Sequence, residues 1–557
     1  MAQRMPPPSR EAPGLRSMTS QHFPAGAGRF LCYEDVVKIV RSPRSPSPFS
    51  AFPALVRLGL VLAPTTLPAQ QWAGHGGDPQ HTSISSVASQ PFNTVRWSTP
   101  VDTTDPGDPI YIHYGGPSIT AQNTVVVPVK TASGYRLDAL SGSTGAPLWS
   151  RPTDFQTAPA TGGWTPSFAP TLTPSGALYY QGAGGTVYRL ADPNSAGGTP
   201  TAINFLPDYA ANKAAYDSSV FISTPLTSDP SGNVYFGFQA TGSAPGGLKS
   251  GIAKIAPNGA TTYTSVDVAS GVPGANGLRL GTNSAPALSN DGAVLYIGIA
   301  DTVAFGGTDY LAAVSTATLA PASHITLAGW VHDAGTSSPT VGPDGHVYFG
   351  TLPGQQFRGQ LEQFSSDLSQ RLTKGSFGWD ETVSVVPASM VPSYHGSSSY
   401  LLFSKYNDYK EAGGNGVNKL AILDPNDTQT DTFGAGTVMK EILTIAGVTP
   451  DGPPDGAVRE WCVNTAAVDP ATHSIVVNSE DGTLYRWDLW TNTFTQAVEL
   501  QSTGALEAYT PTAIGPDGTT YAINKSVLFA VGVPEPASGL LMTLGALGLA
   551  ARRRRRS

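Results

Sequence analysis

Between Gln71 and Val531 the chain repeats one alternation of polar and hydrophobic positions. A Pro follows a small residue, a Gly-centred turn comes next, and a short hydrophobic run with an aromatic closes the unit. The copies are Ala169-Pro170 with Ser175-Gly176-Ala177-Leu178-Tyr179-Tyr180; Thr224-Pro225 with Ser231-Gly232-Asn233-Val234-Tyr235-Phe236-Gly237; Ala285-Pro286 with Asp291-Gly292-Ala293-Val294-Leu295-Tyr296; Ser338-Pro339 with Asp344-Gly345-His346-Val347-Tyr348-Phe349; and Thr510-Pro511 with Asp517-Gly518-Thr519-Thr520-Tyr521. Ala466-Ala467 opens a copy without Pro, with Asp481-Gly482-Thr483-Leu484-Tyr485 further on, and Gly116-Pro117 and Val386-Pro387 open two weaker ones. Asp-Gly and Ser-Gly supply the positive φ of tight hairpins, and Val, Tyr, Phe and Ile suit the pleated, half-buried surface that follows.

The openings lie about fifty residues apart, enough for one four-stranded antiparallel blade per repeat. The pattern therefore predicts an all-β fold, a single β-propeller over residues 71–531. Counting openings gives eight blades, or seven if the degenerate copy near Pro387 is discounted. The 62 Gly and 48 Pro, with no long helical periodicity, point the same way and give no support to an α/β fold.

Two apolar stretches flank this body. Leu55-Val56-Arg57-Leu58-Gly59-Leu60-Val61-Leu62-Ala63, followed by Leu67-Pro68-Ala69-Gln70, reads as the hydrophobic region and cleavage site of a secretory signal for the Sec export machinery, inside a leader over residues 1–70. At the other end, Val533-Pro534-Glu535-Pro536 precedes an apolar run from Ala537 to Ala551, then Arg552, Arg553, Arg554, Arg555 and Arg556. Fifteen helical residues reach about 22 Å, short of the ~30 Å hydrocarbon core, so the run is short for a permanent anchor. The arginines are placed to hold the terminus on the cytoplasmic side, and the two prolines keep the preceding segment extended, the form that protease clefts accept. This tail, residues 532–557, resembles the PEP-CTERM signal of Gram-negative bacteria. The resemblance implies recognition by an exosortase-type membrane protease, transient anchoring in the inner membrane, and a final place at the cell surface or in the extracellular matrix.

Charge narrows the partners. The formal net charge is −8, and from Gln71 to Ala551 there are 19 Lys and Arg against 37 Asp and Glu. A body without a Lys/Arg cluster does not suit nucleic acid, whose phosphates need a basic face. Cys32 lies in the leader, so Cys462 is the one thiol expected in the mature chain, a buried structural residue rather than a nucleophile.

Gln71-Trp72-Ala73-Gly74-His75-Gly76-Gly77-Asp78-Pro79-Gln80-His81-Thr82, with Val95-Arg96-Trp97 after it, resembles the entry into quinoprotein-type propellers. Thr144-Gly145-Ala146-Pro147-Leu148-Trp149 is similar to their blade-ending element, in which a Trp packs between neighbouring blades. The resemblance is to the broad PQQ-like repeat group, and it implies that the strand around Thr94–Trp97 completes the last blade beside Val527–Val531. An enzyme of that group that uses pyrroloquinoline quinone needs a calcium cage, a carboxylate base and a stacking surface, and this set is not recognisable here; no cofactor is expected. Asp451–Gly456 and Asn478–Gly482 lack the spacing of a calcium loop and read as hairpin chemistry. His75 and His81, flanking Asp78, read as part of a solvated loop rather than as metal ligands. Two functions follow: a non-catalytic exported binding or scaffold module for a glycan, a peptide or an envelope protein, or an extracellular enzyme, quinoprotein or polysaccharide-acting, with its site at the channel mouth.

Overall fold

A computed structural model describes residues 70–534, apart from 105–114, 160–167, 302–306, 332–336, 353–357, 411–412, 435, 452–456 and 502–507. Its strands form eight antiparallel sheets, the blades of an eight-bladed propeller. Blade 1 runs from Ser118–Ile119 to Pro147–Thr153, blade 2 from Thr171–Leu172 to Thr201–Asn204, and blade 3 from Val220–Ile222 and Thr227–Ser228 to Thr261–Ser265. Blade 4 runs from Arg279–Leu280 and Ala287–Leu288 to Pro321–Thr326, blade 5 from Thr340–Val341 to Gln360–Phe364, blade 6 from Ser384–Pro387 to Thr437–Ala446, and blade 7 from Ala467–Asp469 to Thr493–Glu499. Blade 8 holds Ala513–Ile514, Thr520–Asn524 and Val527–Gly532, and Thr94–Pro100 is its outer strand.

That last pairing closes the ring. Thr94–Pro100 lies antiparallel to Val527–Gly532, with Val95 opposite Val531 and Thr99 opposite Leu528, so the first strand of the body covers what would be a free edge. Trp97 then reaches across to blade 1, where its indole N–H donates to the Gly142 carbonyl at 2.9 Å. Trp149 repeats the device one blade on, buried and donating to the Pro193 carbonyl at 2.7 Å. Gly145 has φ +69, and a Cβ there would lie 2.6 Å from the Trp97 ring, which explains the glycine of the Thr-Gly element.

Three of the repeat tyrosines tie their blade to the next. Tyr235, Tyr296 and Tyr521 stand on second strands with under 2 % exposure, and their hydroxyls reach carbonyls of the following blade: Thr316, Ser366 and Gly142. A buried phenol needs such an acceptor, so the aromatic of the repeat sets blade spacing as well as filling the core. The turns behave as their residues dictate, with φ +85 at Gly345 of Asp344-Gly345 and +81 at Gly176 of Ser175-Gly176.

In an antiparallel meander the turns joining first to second and third to fourth strands share one face. Most of these are tight turns, the exceptions being Pro387 to Tyr400 in blade 6 and Leu190 to Thr201 in blade 2. The connections joining second to third strands, and each blade to the next, share the other face; the former are short in blades 1, 2, 7 and 8 and long in blades 3 to 6, and of the latter 17 positions separate Thr153 from Thr171.

Three details differ from the sequence pattern. Asp481-Gly482 joins the second strand of blade 7, Ser474–Asn478, to its third, Thr483–Asp488, while the first turn of that blade is built around His473 at φ +52. Pro387 ends the inner strand of blade 6 rather than opening it. Blade 5 has three described strands, with bridges from Phe364 to Arg371 and Leu361 to Gly375 where a fourth would run. Among the described residues no helix is long and apolar enough to cross a membrane.

Candidate functional site

The inner strands of a propeller leave their backbone edges facing the central channel. Here residues 70–85 cover those edges. Trp72 and Ile119 of blade 1 exchange two backbone hydrogen bonds at 2.9 Å. The N–H groups of Leu172, Leu288, Val341, Val385 and Val468 donate to the carbonyls of Ala73, Pro79, Gln80, Thr82 and Ser83 at 2.7–3.0 Å. The Gln70 side-chain amide donates to the Ile514 carbonyl of blade 8 at 2.7 Å, and blade 3 contributes Leu226, Thr227 and Ser228 to a small cavity beside Gly74, His75 and Asp78. This segment is a plug hydrogen-bonded to seven of the eight blades and sharing a small cavity with blade 3, seated beside the turns that follow the inner strands. Edge coverage also explains the recurrent proline: Pro225 and Pro286 interrupt inner strands, where a missing N–H costs no ladder bond.

His75 and His81 are therefore not in a solvated loop. Their rings meet edge to face with centroids 4.9 Å apart, and His81 Nδ1 lies 2.8 Å from the Pro339 carbonyl oxygen. Burial holds His81 down at about 4, and it holds His75 well below its ordinary value, with the neighbouring His81 adding to the effect. Both rings are neutral at pH 7. Burial raises the Asp78 carboxyl although it accepts from the Gln80 and Thr82 N–H groups at 3.0 Å and from the Thr82 hydroxyl. Asp78 and His81 are thus used internally, as a plug requires, whereas His75 Nε2 is buried without a hydrogen-bond partner among the described residues.

The opposite face carries the chemistry. A narrow cleft between blades 4, 5 and 6 is lined by Trp330, Trp379, Ser284, Ser337, Thr351 and Asp380, the last of which bounds a buried polar cluster. Next to Asp380, Glu381 is 1 % exposed and accepts from the Lys405 N–H and, at 3.0 Å, the Ser404 hydroxyl. Burial pushes its carboxyl up to about 8, so at neutral pH it is largely the uncharged acid. The Lys405 ammonium donates to the Asp380 carbonyl at 2.8 Å. Further round, Cys462 is buried, its thiol donates to Glu480 at 3.1 Å, and Glu460 converges on the same point, the three donor atoms lying within 4.8 Å of one another. Burial and the two carboxylates push the thiol well up, so it is protonated and no nucleophile. These are the donors a cation would find on this face.

Arg358 is the largest charge hidden there. It is 1 % exposed, its guanidinium carbon lies 3.6 Å from the Phe433 ring centroid and 4.8 Å from that of Tyr406, and among the described residues only its Nε is hydrogen-bonded, to the Ser376 carbonyl at 3.2 Å. The aromatic faces take the place of anionic partners. Nothing in local sequence marks Arg358, Glu381 or Trp379, because their partners come from neighbouring blades.

Of the proposed sorting residues, Val533 is half-buried and donates its N–H to Gln90 Oε1 at 2.9 Å, and Pro534 is exposed. Glu535, Pro536 and Arg552–Arg556 lie outside the described residues, as do residues 452–456 of the first acidic turn. In the second, Asp481 accepts from Thr449, Thr483 and Tyr485, which is hairpin chemistry.

Residues 532–556 match the PEP-CTERM protein-sorting motif. No curated protein matches the chain. Among solved structures the chain is similar to a europium-containing methanol dehydrogenase, at 11 % identity and a TM-score of 0.56 over 82 % of this chain and 89 % of that one. It is also similar to the quinohemoprotein alcohol dehydrogenase from Comamonas testosteroni, at 11 % identity and a TM-score of 0.50 over 84 % and 77 % of the two chains. BamB from Moraxella catarrhalis aligns at 14 % identity and a TM-score of 0.42 over 79 % and 99 %. At such identities the two dehydrogenases share the propeller fold with this chain, and fold does not fix function.

Proposed function

We propose that this protein is an exported propeller, processed at its tail by an exosortase-type membrane protease, that serves at the cell surface or in the extracellular matrix as a non-catalytic binding module. One observation carries the reading: the sorting motif starts at Gly532, the last residue of the ring-closing sheet, so that whatever the tail sorts is the propeller itself. The ligand surface is the long-connection face, where Trp330 and Trp379 offer flat apolar area beside the hydroxyls of Ser337 and Thr351, a combination suited to a glycan or a peptide of an envelope protein. Titration of the purified body with fragments of envelope polysaccharide, followed by tryptophan fluorescence, tests it. Saturable quenching that Trp330→Ala and Trp379→Ala both remove is expected, and quenching unchanged in both variants would reject this face.

A second reading, an extracellular enzyme, draws on Glu381, since a buried carboxyl with a raised pKa beside a cleft is what general-acid chemistry uses. Reconstitution with pyrroloquinoline quinone and calcium, with dye reduction as readout, separates the two. Turnover above the cofactor-only background would replace the binding reading.

A further inference from the structure

The place where the tail leaves the propeller orients the whole molecule. Val527–Gly532 is the third strand of blade 8, and Val531 lies opposite Thr520, which follows the tight turn at Asp517-Gly518. The chain therefore exits on the tight-turn face. Gln90 fixes the exit there: its N–H donates to the Gly518 carbonyl and its side-chain N–H to the Asp517 carbonyl, both at 2.8 Å, and its Oε1 accepts from Val533. From Pro534 to the start of the apolar run at Ala537 there are three residues, about 10 Å at full extension. A tether that short brings the turns of blade 8 down to the surface in which the run is embedded.

An independent feature marks the same patch. Trp490 is 60 % exposed, in the turn between the third and outer strands of blade 7, next to blade 8 on the tight-turn face. Its ring lies against His473 of the neighbouring turn, with centroids 4.5 Å apart. On the other flank of blade 8, Leu148 is 38 % exposed just beyond the corresponding turn of blade 1. An exposed indole is costly in water and at home at the level of lipid headgroups, where its apolar ring and its N–H are both accommodated.

We propose that the tethered precursor docks on the bilayer through the tight-turn face around blade 8, with Trp490 as its interfacial anchor, so that the long-connection face with its cleft points away from the membrane. This rests on the reading of the tail as a membrane-embedded signal. Strands of five to seven residues put roughly 20 Å between the two faces, a separation that energy transfer resolves.

The test uses the full chain with Cys32→Ser, reconstituted into phosphatidylcholine–phosphatidylglycerol vesicles carrying an acceptor dye on the headgroups; Cys462 is buried and does not label. A donor dye is attached at Thr144→Cys on the tight-turn face or at Lys525→Cys on the long-connection face of blade 8, both exposed positions. Transfer from position 144 several-fold above that from position 525 is expected, with the contrast reduced by Trp490→Ser. Equal or reversed transfer in protein that sediments with the vesicles would overturn the orientation alone. Protein that fails to sediment with vesicles would overturn the tethering reading, and the orientation with it.

Discussion

The imidazole Nδ1 of His81 lies 2.8 Å from the carbonyl oxygen of Pro339, which fastens the plug to blade 5 through a ring that is 1 % exposed. The ring is held to the neutral form by burial, with its pKa down at about 4, and this makes stability depend on pH. Between that value and the unfolded value near 6.5, the unfolded chain binds more protons than the folded one. Stability is therefore full above pH 6.5 and falls as pH drops towards 4, by at most about 3 kcal/mol from this residue. Urea unfolding at pH 7.5, 6 and 5 should show the fall, and His81→Gln should flatten it.

Glu381 works in the opposite sense. Its folded pKa, raised to about 8 by burial, means that the folded state binds more protons between 4.5 and 8, so its contribution is full below pH 4.5 and is lost as pH rises through 8. Glu381→Gln should remove that loss. Expressed as the difference in unfolding free energy from wild type, the variant should gain at pH 9 and change by about 1 kcal/mol or less at pH 5.

The blade-docking tryptophans give a graded series. Trp149→Phe keeps most of the buried ring but loses the bond to the Pro193 carbonyl, at a cost of about 1 kcal/mol. Trp149→Ala empties the site and should cost about 3–5 kcal/mol. Gly145→Ala, with φ +69 and the Trp97 ring in the way, should cost about 1–3 kcal/mol without touching either bond. Chemical denaturation midpoints rank the three.

Arg358 should be dispensable as a charge. Its guanidinium is stacked on Phe433 without a carboxylate bonded to Nη1 or Nη2, so Arg358→Met, similar in length and free of desolvation cost, should change stability by about 1 kcal/mol or less in either direction. Arg358→Ala should lose about 2–4 kcal/mol through the cavity it leaves. Equal losses in both variants, read by thermal unfolding, would show that the charge itself matters.

The two parts of the tail should fail differently. Replacement of Pro534, Glu535 and Pro536 by Ala is expected to leave uncut precursor in the membrane fraction, whereas replacement of Arg552 to Arg556 by Ser is expected to weaken retention of the C-terminus. Mass spectrometry of the mature C-terminus in a host with the protease checks both, and wild-type protein outside the cell that still ends in Ser557 would exclude the signal.

How much of this was legible in the sequence follows the range of the interactions. Turn chemistry is local, so Asp344-Gly345 and its relatives announced the blades. The contact made by Trp149 and the closing strand at Thr94–Trp97 are expected from the resemblance to the PQQ-like repeat group rather than from the residues alone, and the Pro193 bond and the pairing with Val527–Gly532 agree with it. Asp481-Gly482 misled by one hairpin, since the same dipeptide serves any tight turn. His75, Asp78 and His81 looked solvated because every polar neighbour in the segment is a short-range cue for a loop, while what buries them comes from inner strands far along the chain. The same distance hid Glu381 and Arg358.

The plug also sets the order of events during folding. Gln70 and Ile514 are 444 positions apart, and His81 and Pro339 are 258 apart, so the segment that comes first in the propeller is completed last. Until blade 7 has arrived, residues 70–85 carry backbone groups without their final partners, the Gln70 side chain waits for blade 8, and closing such long loops is slow. Maturation of this protein should therefore be limited by a late, whole-chain step, with the first residues of the propeller waiting longest for their places.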